Sequence, residues 1–323
     1  MLFDVLVVGD IVIDIIADLG FSFGEIAFAA SSDLRGGRVV PGGGGNVASA
    51  MAFLGLGVLF TGKCGDDVLC DYYERDLSSY GVNVLIHRCS ERPTGFVISL
   101  LSSDAERTML VHPGANLCFS VEDVESSMKT YLESSSLFVH GYSLQRDSQA
   151  EAIIHLARKF KSSGKRIFLD PSTTTLFERN KFYVEELISL SFGLILNYEE
   201  AKVYTGSEAL EDVVDNLTGV AELVVIKLGY KGSLVLEGED IFYLKPYFVD
   251  VKDTTGAGDA YDAAFLSVYL RNGDVVKAAD FANWFSSRVI MDYGPRSFPS
   301  REEVLDKLAR DIIFLDGEDS IYI

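Results

Sequence analysis

The chain has 323 residues with 28 Lys+Arg against 48 Asp+Glu, a formal net charge of -20 at pH 7. This length suits one large domain, and 48% hydrophobic with 24% charged residues is too apolar a mixture for a disordered chain. So acidic a surface speaks against nucleic acid and anionic membranes, which are bound through Lys and Arg. An anionic ligand would need a local device that overrides the global field.

At the N-terminus an apolar stretch is interrupted by Asp4, Asp10, Asp14 and Asp18, with no basic segment before it. That pattern fits neither a signal peptide nor a membrane span, so a cytoplasmic protein is expected. Short apolar runs then recur at residues 5–8, 58–61, 137–140, 167–169, 194–196 and 223–227 and read as strands. Helical patterns lie between them at residues 46–54, 67–80, 149–162 and 199–205. In one of these, Ala150, Ile153, Ile154 and Ala157 share a face. Alternating strands and helices predict an α/β fold: a doubly wound, mostly parallel sheet with helices on both faces. Ligands in such sheets sit at the carboxyl ends of the strands.

Residues 11–41 and 93–112 break this rhythm with two-residue alternation, as in Gly95-Phe-Val-Ile-Ser-Leu-Leu, and predict a small β-sheet projecting as a lid. No repeat or linker divides the chain, so residues 1–323 read as a single domain with the lid segments inserted. The acidic block at 237–240 reads as a solvated turn. Cys64, Cys70, Cys89 and Cys118 form no CxxC pair and read as free, apolar fillers rather than a zinc site or disulfide framework.

The strongest local signal is Asp253-Thr254-Thr255-Gly256-Ala257-Gly258-Asp259-Ala260. Ala260, Ala263, Ala264 and Val268 give the following segment an apolar helical face, so a helix begins near Ala257. Gly256 and Gly258 leave the backbone N–H groups of its first turn uncovered, and such a terminus is a ready anion site. Asp259 in that turn can cap the helix. Beside a bound phosphoryl group it can instead accept the proton of an attacking hydroxyl.

This stretch, continuing Tyr261-Asp262-Ala263-Ala264-Phe265, resembles the C-terminal signature of the ribokinase-like, or PfkB-type, carbohydrate kinases. The resemblance implies that fold and an ATP-dependent transfer of a phosphoryl group to a sugar hydroxyl. Asp259 would be the catalytic base, with Gly256, Ala257 and Gly258 as the anion hole. Pro41-Gly42-Gly43-Gly44-Gly45-Asn46 resembles the family's N-terminal signature and implies that Gly42, Gly43 and Asn46 meet the sugar. Asp14 would bind sugar hydroxyls, since a carboxylate accepts from two neighbouring ones, with Asp10 as a further candidate and Arg107 of the lid strand facing either an anionic substrate or solvent. Asn197-Tyr-Glu-Glu200 resembles the motif that organises Mg2+-bound water, which places Glu200 near the metal without direct ligation. Lys227, Gly229 and Gly232 resemble the nucleotide-side strand and turn, where Lys227 meets a phosphate or faces solvent, and Asn283 resembles the adenine-side helix. Asp253 and the loop near Gly294 fall where some relatives bind a monovalent cation, which adds K+ as a candidate beside ATP and Mg2+. Asp170-Pro171-Ser-Thr-Thr174 lacks the asparagine and arginine of the family's strand end, which speaks against a carboxylated acid sugar.

The expected partners are a small-molecule sugar and ATP, with a homodimer expected through lid positions such as Phe96 and Ile98. Three rival readings remain: a nucleoside kinase of the same fold, a non-catalytic sugar or nucleotide sensor, and a nicotinamide-dependent oxidoreductase. The last rests on Gly43-x-Gly45-x-x-Ala48 with Asp66 about 20 residues on. A near-match to a phosphate-binding loop from Gly57 to Lys63 lacks the hydroxyl residue after the lysine and reads as a strand.

Overall fold

Strand β1 (Phe3–Val8) shows how the main sheet is built, because its alternate side chains enter two different cores. Val5 and Val7 join one apolar cluster, Leu6 and Val8 the other, and all four are buried. A strand covered on both faces reads as a continuous apolar run, and parallel sheets produce such strands. The computed structural model describes residues 2–26, 31–104 and 107–313. Residues 27–30 and 105–106, in the expected lid segments, and 314–323, in the expected single domain, lie outside the described residues.

After β1 come β2 (Val12–Asp18), β3 (Gly36–Pro41), α1 (Gly45–Phe53), β4 (Val58–Gly65), α2 (Val68–Ser79), β5 (Asn83–Cys89), β6 (Gly95–Leu101) and β7 (Arg107–His112). The chain continues with α3 (Val121–Tyr131), β8 (Ser134–His140), α4 (Asp147–Ser162), β9 (Arg166–Asp170), α5 (Thr175–Arg179), α6 (Lys181–Leu190), β10 (Gly193–Asn197), α7 (Tyr198–Thr205) and α8 (Leu210–Leu217). It closes with β11 (Leu223–Lys227), β12 (Ser233–Glu237), β13 (Asp240–Leu244), α9 (Ala257–Asn272), α10 (Val275–Val289) and α11 (Arg301–Ile313).

The main sheet has nine strands in the order β13-β12-β11-β10-β9-β8-β1-β4-β5, parallel except for the antiparallel edge of β12 and β13. The 237–240 block is the turn of that edge hairpin, as the sequence indicates. One core joins the sheet to α1, α2, α9 and α10, the other to α3, α4, α6 and α8, so helices cover both faces. The lid is a separate four-stranded sheet, β3-β2-β6-β7, built from both segments that broke the rhythm. Residues 58–61 form part of β4, so the near-match to a phosphate loop is a strand. No described helix is long and apolar enough to cross a membrane.

The cysteines depart from the expectation. Cys64 at the end of β4 and Cys70 in α2 are joined by a disulfide, with their Cα atoms 5.7 Å apart. The physical reason is the tight entry to α2, where Asp67 accepts from the Leu69 and Cys70 amides and folds the chain back on the strand end. Cys89 and Cys118 are free.

Candidate active site

Strand order places the site before any side chain is considered. β1 continues to β4 on one side and lies against β8 on the other, so the direction of winding reverses between β1 and β8. A crevice opens at such a reversal, at the carboxyl ends of the strands. Asp10 follows β1, and His140, Asp170, Asn197 and Lys227 end β8, β9, β10 and β11 in a row. All five line a cavity of about 490 Å³, roofed by Val97, Met109 and Val111 of the lid and closed by the start of α9.

The helix signal is realised closely. α9 starts at Ala257, with Gly256 as its N-cap at a φ of 78°. A side chain at Gly256 would be strained at this φ and would bring its Cβ 2.4 Å from Pro295 Cβ. Of the expected donors, the Ala257 N–H is turned to the Thr254 carbonyl at 3.2 Å. The Gly258 and Asp259 N–H groups have no partner among the described residues and are left for an anion. Asp259 lines the same cavity, and His140 Nε2 lies 3.3 Å from its Oδ1.

Asp14, Gly43 and Asn46 form another wall of the cavity, whereas Gly42, expected to meet the sugar, is buried beside Asp14 and does not line it. Gly42 donates to the Val12 carbonyl at 2.9 Å, and a Cβ there would stand 2.2 Å from Asp14 Oδ2. Only glycine therefore lets the loop pass the carboxylate. Burial pushes the Asp14 carboxyl up to about 6, against the pull of Arg107 and Arg296. Asp10 is raised by burial and accepts from Gln149 Nε2 at 2.7 Å, which ties it to α4. Arg107 reaches from the lid to Thr255 Oγ1 and Ser99 Oγ, each at 3.4 Å, so it bridges lid and anion-hole loop.

Lys227 stands differently from expectation, because it neither faces solvent nor holds its ammonium free for phosphate. Its Nζ lies 2.9 Å from both Asp170 Oδ2 and Asp262 Oδ1, and it would be 3.5 Å from a Cβ on Gly258. Burial alone would raise Asp170, but attraction to Lys227, a hydrogen bond with Asp262 and the nearby His140 together outweigh it and lower the carboxyl to about 2. Burial pushes Asp262, fully enclosed on α9, well above the usual carboxylate range, with Asp170 adding to the rise. Lys227 loses by burial and gains more from its two carboxylates, so its ammonium is held charged.

At the end of β10, where the sequence implies the nucleotide side, Asn197 and Glu200 form a reciprocal capping box at the start of α7. Asn197 Oδ1 accepts from the Glu200 amide, while Glu200 accepts from the Asn197 amide and side chain. Burial and then Asp170 raise Glu200 to about 7. Gly229 and Gly232 frame the short turn after β11 and line the cavity. Asn283 also lines it, but its Nδ2 is committed to Ser233 Oγ and to the Leu244 and Lys245 carbonyls. Asp253 likewise spends both oxygens within the fold, on Thr255 and on the Gly294 amide.

Three participants were absent from the sequence-based candidates: His140, Asp262 and Arg296. His140 ends an expected strand, which is a usable signal in a sheet of this type. Asp262 falls among the buried positions of α9, where a carboxylate breaks the apolar pattern. Arg296 carries no local signal, since its partners lie far away in sequence.

A doubly wound sheet, a β-sheet lid and a carboxylate in the first turn of a glycine-led helix with free N–H groups together define the ribokinase-like class. The chain belongs to the pfkB family of carbohydrate kinases, which it matches over residues 2–302. Among curated relatives it is similar to the deoxyribokinase of Salmonella typhi, 27% identical over 278 residues, covering 83% of this chain and 87% of that one. Its structure resembles adenosine kinase from Sinorhizobium meliloti, with a TM-score of 0.82, 25% identity, and coverage of 97% and 100%. It also resembles a putative ribokinase II from E. coli solved with ATP and Mg2+, with a TM-score of 0.83, 19% identity, and coverage of 96% and 100%. Membership removes the oxidoreductase reading. The glycines of that fingerprint lie where lid strand β3 leads into α1, Gly45 being the first residue of α1, not after the first strand of the sheet where a dinucleotide turn belongs.

Proposed function

We propose that this carbohydrate kinase transfers the γ-phosphoryl group of ATP to a hydroxyl of a sugar, with Asp259 as the base. The observation that carries this is the convergence of Asp259, the unpartnered Gly258 and Asp259 N–H groups, and the Asp14–Asn46 wall on one cavity. The acceptor hydroxyl lies between Asp259 and the phosphoryl group. Asp259 takes its proton as the new O–P bond forms, and the N–H groups at the start of α9 stabilise charge on the transferring oxygens. The lid excludes water, which would otherwise accept the phosphoryl group.

Among the described residues no three His, Cys, Asp or Glu side chains are arranged to hold a metal ion. Both Glu200 oxygens are engaged by Asn197, so these two residues fit a Mg2+ carried by phosphates and water rather than by a protein cage. Bound Mg2+ would neutralise phosphate charge. Asn197 and Glu200 would orient its water shell. A panel of ribose, fructose, a sugar phosphate and adenosine with ATP and Mg2+, read by ADP release, tests the assignment. Turnover of at least one acceptor is expected, and none at all would favour the sensor reading.

The lid also supports self-association. Val39, Ile15, Ile98 and Leu110 are register partners across all four strands, on the face turned away from the cavity-lining Asp14 and Val97. Val39 and Leu110 are exposed. A contiguous apolar row on a sheet is a surface to be covered. Light scattering should give a dimer mass, and Ile98→Lys should return a monomer; a parent protein that is already monomeric would overturn this.

A further inference from the structure

Arg296 follows α10 and is 250 positions from Asn46, yet its Nε donates to Asn46 Oδ1 at 3.1 Å. Its Nη2 donates to the Pro41 carbonyl at 3.3 Å, its Nη1 pairs with Asp76 of α2, and the guanidinium lies over the Tyr80 ring. The side chain is only 9% exposed. Four fixed partners leave the planar fork one orientation.

The consequence falls on Asn46. A side-chain amide can offer either its oxygen or its NH2 to a ligand, and the two ends are nearly the same shape. Arginine has donors only, so it donates to the oxygen end of Asn46 and cannot pair with the NH2 end. Nδ2 then has no partner among the described residues and is left to the cavity that Asn46 lines. Asp14 on the same wall is an acceptor when ionised.

We propose that Arg296 is a positioning and specificity residue of the acceptor site: it holds Asn46 by Oδ1, so the wall presents one fixed donor beside the Asp14 acceptor. The inference rests on the kinase reading above. It implies that the acceptor is read by a hydroxyl lone pair at Asn46 and by hydroxyl protons at Asp14. Arg296 has a second effect through charge. Asp14 faces Arg107 from β7, Arg296 from the loop after α10, and Asp259 from α9. Removing one of the two cations lets burial raise Asp14 further, so the carboxylate is lost at a higher pH.

The test compares the parent with Arg296→Met, Arg296→Lys, Asn46→Ala and the Arg296→Met/Asn46→Ala pair. Acceptor KM, ATP KM and kcat are measured on the turned-over acceptor of the panel between pH 5 and 9. Arg296→Met should raise acceptor KM about tenfold, the scale of a lost charge-assisted hydrogen bond, while ATP KM stays within about twofold. Its acid limb of kcat/KM should move to higher pH, whereas Arg296→Lys, which keeps the charge, should keep the parent's limb. At pH 8–9, above the acid limb where Asp14 stays ionised in every variant, the pair should be no worse than Asn46→Ala alone, because there both changes remove one interaction. If Arg296→Met does not fold, the Arg296→Lys limb and its raised acceptor KM carry the same test. An unchanged acceptor KM, or effects of the pair that multiply, overturns the inference. A parent that turns over no acceptor overturns the kinase reading instead.

Discussion

Asp259→Asn should lower kcat about 10²–10⁴-fold, the range that a positioned base contributes, while acceptor binding stays near the parent's. Asparagine keeps the size of the side chain and its place in the first turn of α9, but its amide oxygen cannot take up the hydroxyl proton. The neighbouring N–H groups of Gly258 and Asp259 belong to the backbone and survive the change, so phosphate binding is retained. Asp14 and Asn46, the proposed acceptor contacts, line the same cavity and are also untouched. ADP release gives kcat, and calorimetric titration with the acceptor gives binding. A variant that turns over at the parental rate would remove Asp259 from the chemistry. A parent that binds sugar and nucleotide but never turns over would make the protein a sensor.

Lys227→Met should cost stability rather than merely activity. Removing one partner of a buried ionic group leaves uncompensated charge and typically costs about 3–5 kcal/mol. For a domain of this size that is a fall in Tm on the order of 10 °C. The loss should depend on pH in a definite direction. In the parent, Asp170 titrates at about 2, below the ordinary carboxylate value, so its stabilising contribution is present above about pH 4 and is lost as pH falls through about 2. Without Lys227, burial raises Asp170 above its unfolded value, and the carboxylate destabilises the fold increasingly as pH rises. The Tm difference between parent and variant should therefore be large at pH 7–8 and shrink toward pH 4. A difference independent of pH would mean that Lys227 contributes packing rather than charge.

Much of the fold is legible along the chain. Each buried strand is a short apolar run because a parallel sheet buries both of its faces, as Val5, Leu6, Val7 and Val8 illustrate. The lid announces itself by the opposite pattern, since a sheet with two unlike faces must alternate. The start of α9 is also readable, because Gly256 is needed where φ is 78° and where Pro295 leaves no room for a Cβ. The Gly42 turn is fixed by the same kind of constraint against Asp14. These are local requirements, and local sequence records them.

Pairings across long distances are another matter. Lys227 looks from its own strand like a solvent-facing or phosphate-facing residue, yet the fold sets it between Asp170 and Asp262, 57 and 35 positions away. The Cys64–Cys70 disulfide spans only six positions, yet it too depends on tertiary geometry, a helix cap that folds the chain back on a strand end. Neither arrangement leaves a periodic or compositional trace.

Residue pattern along the chain is enough for the α/β architecture, the lid, the glycine-led helix start and the carboxylate within it. Those features follow from backbone geometry and from the burial of neighbouring residues. Three contacts arise only in the folded chain: His140 with Asp259, Lys227 with Asp170 and Asp262, and Arg296 with Asn46. Charge and hydrogen bonding act through space, so the partners of a buried polar group are chosen by sheet order and helix packing rather than by proximity along the chain.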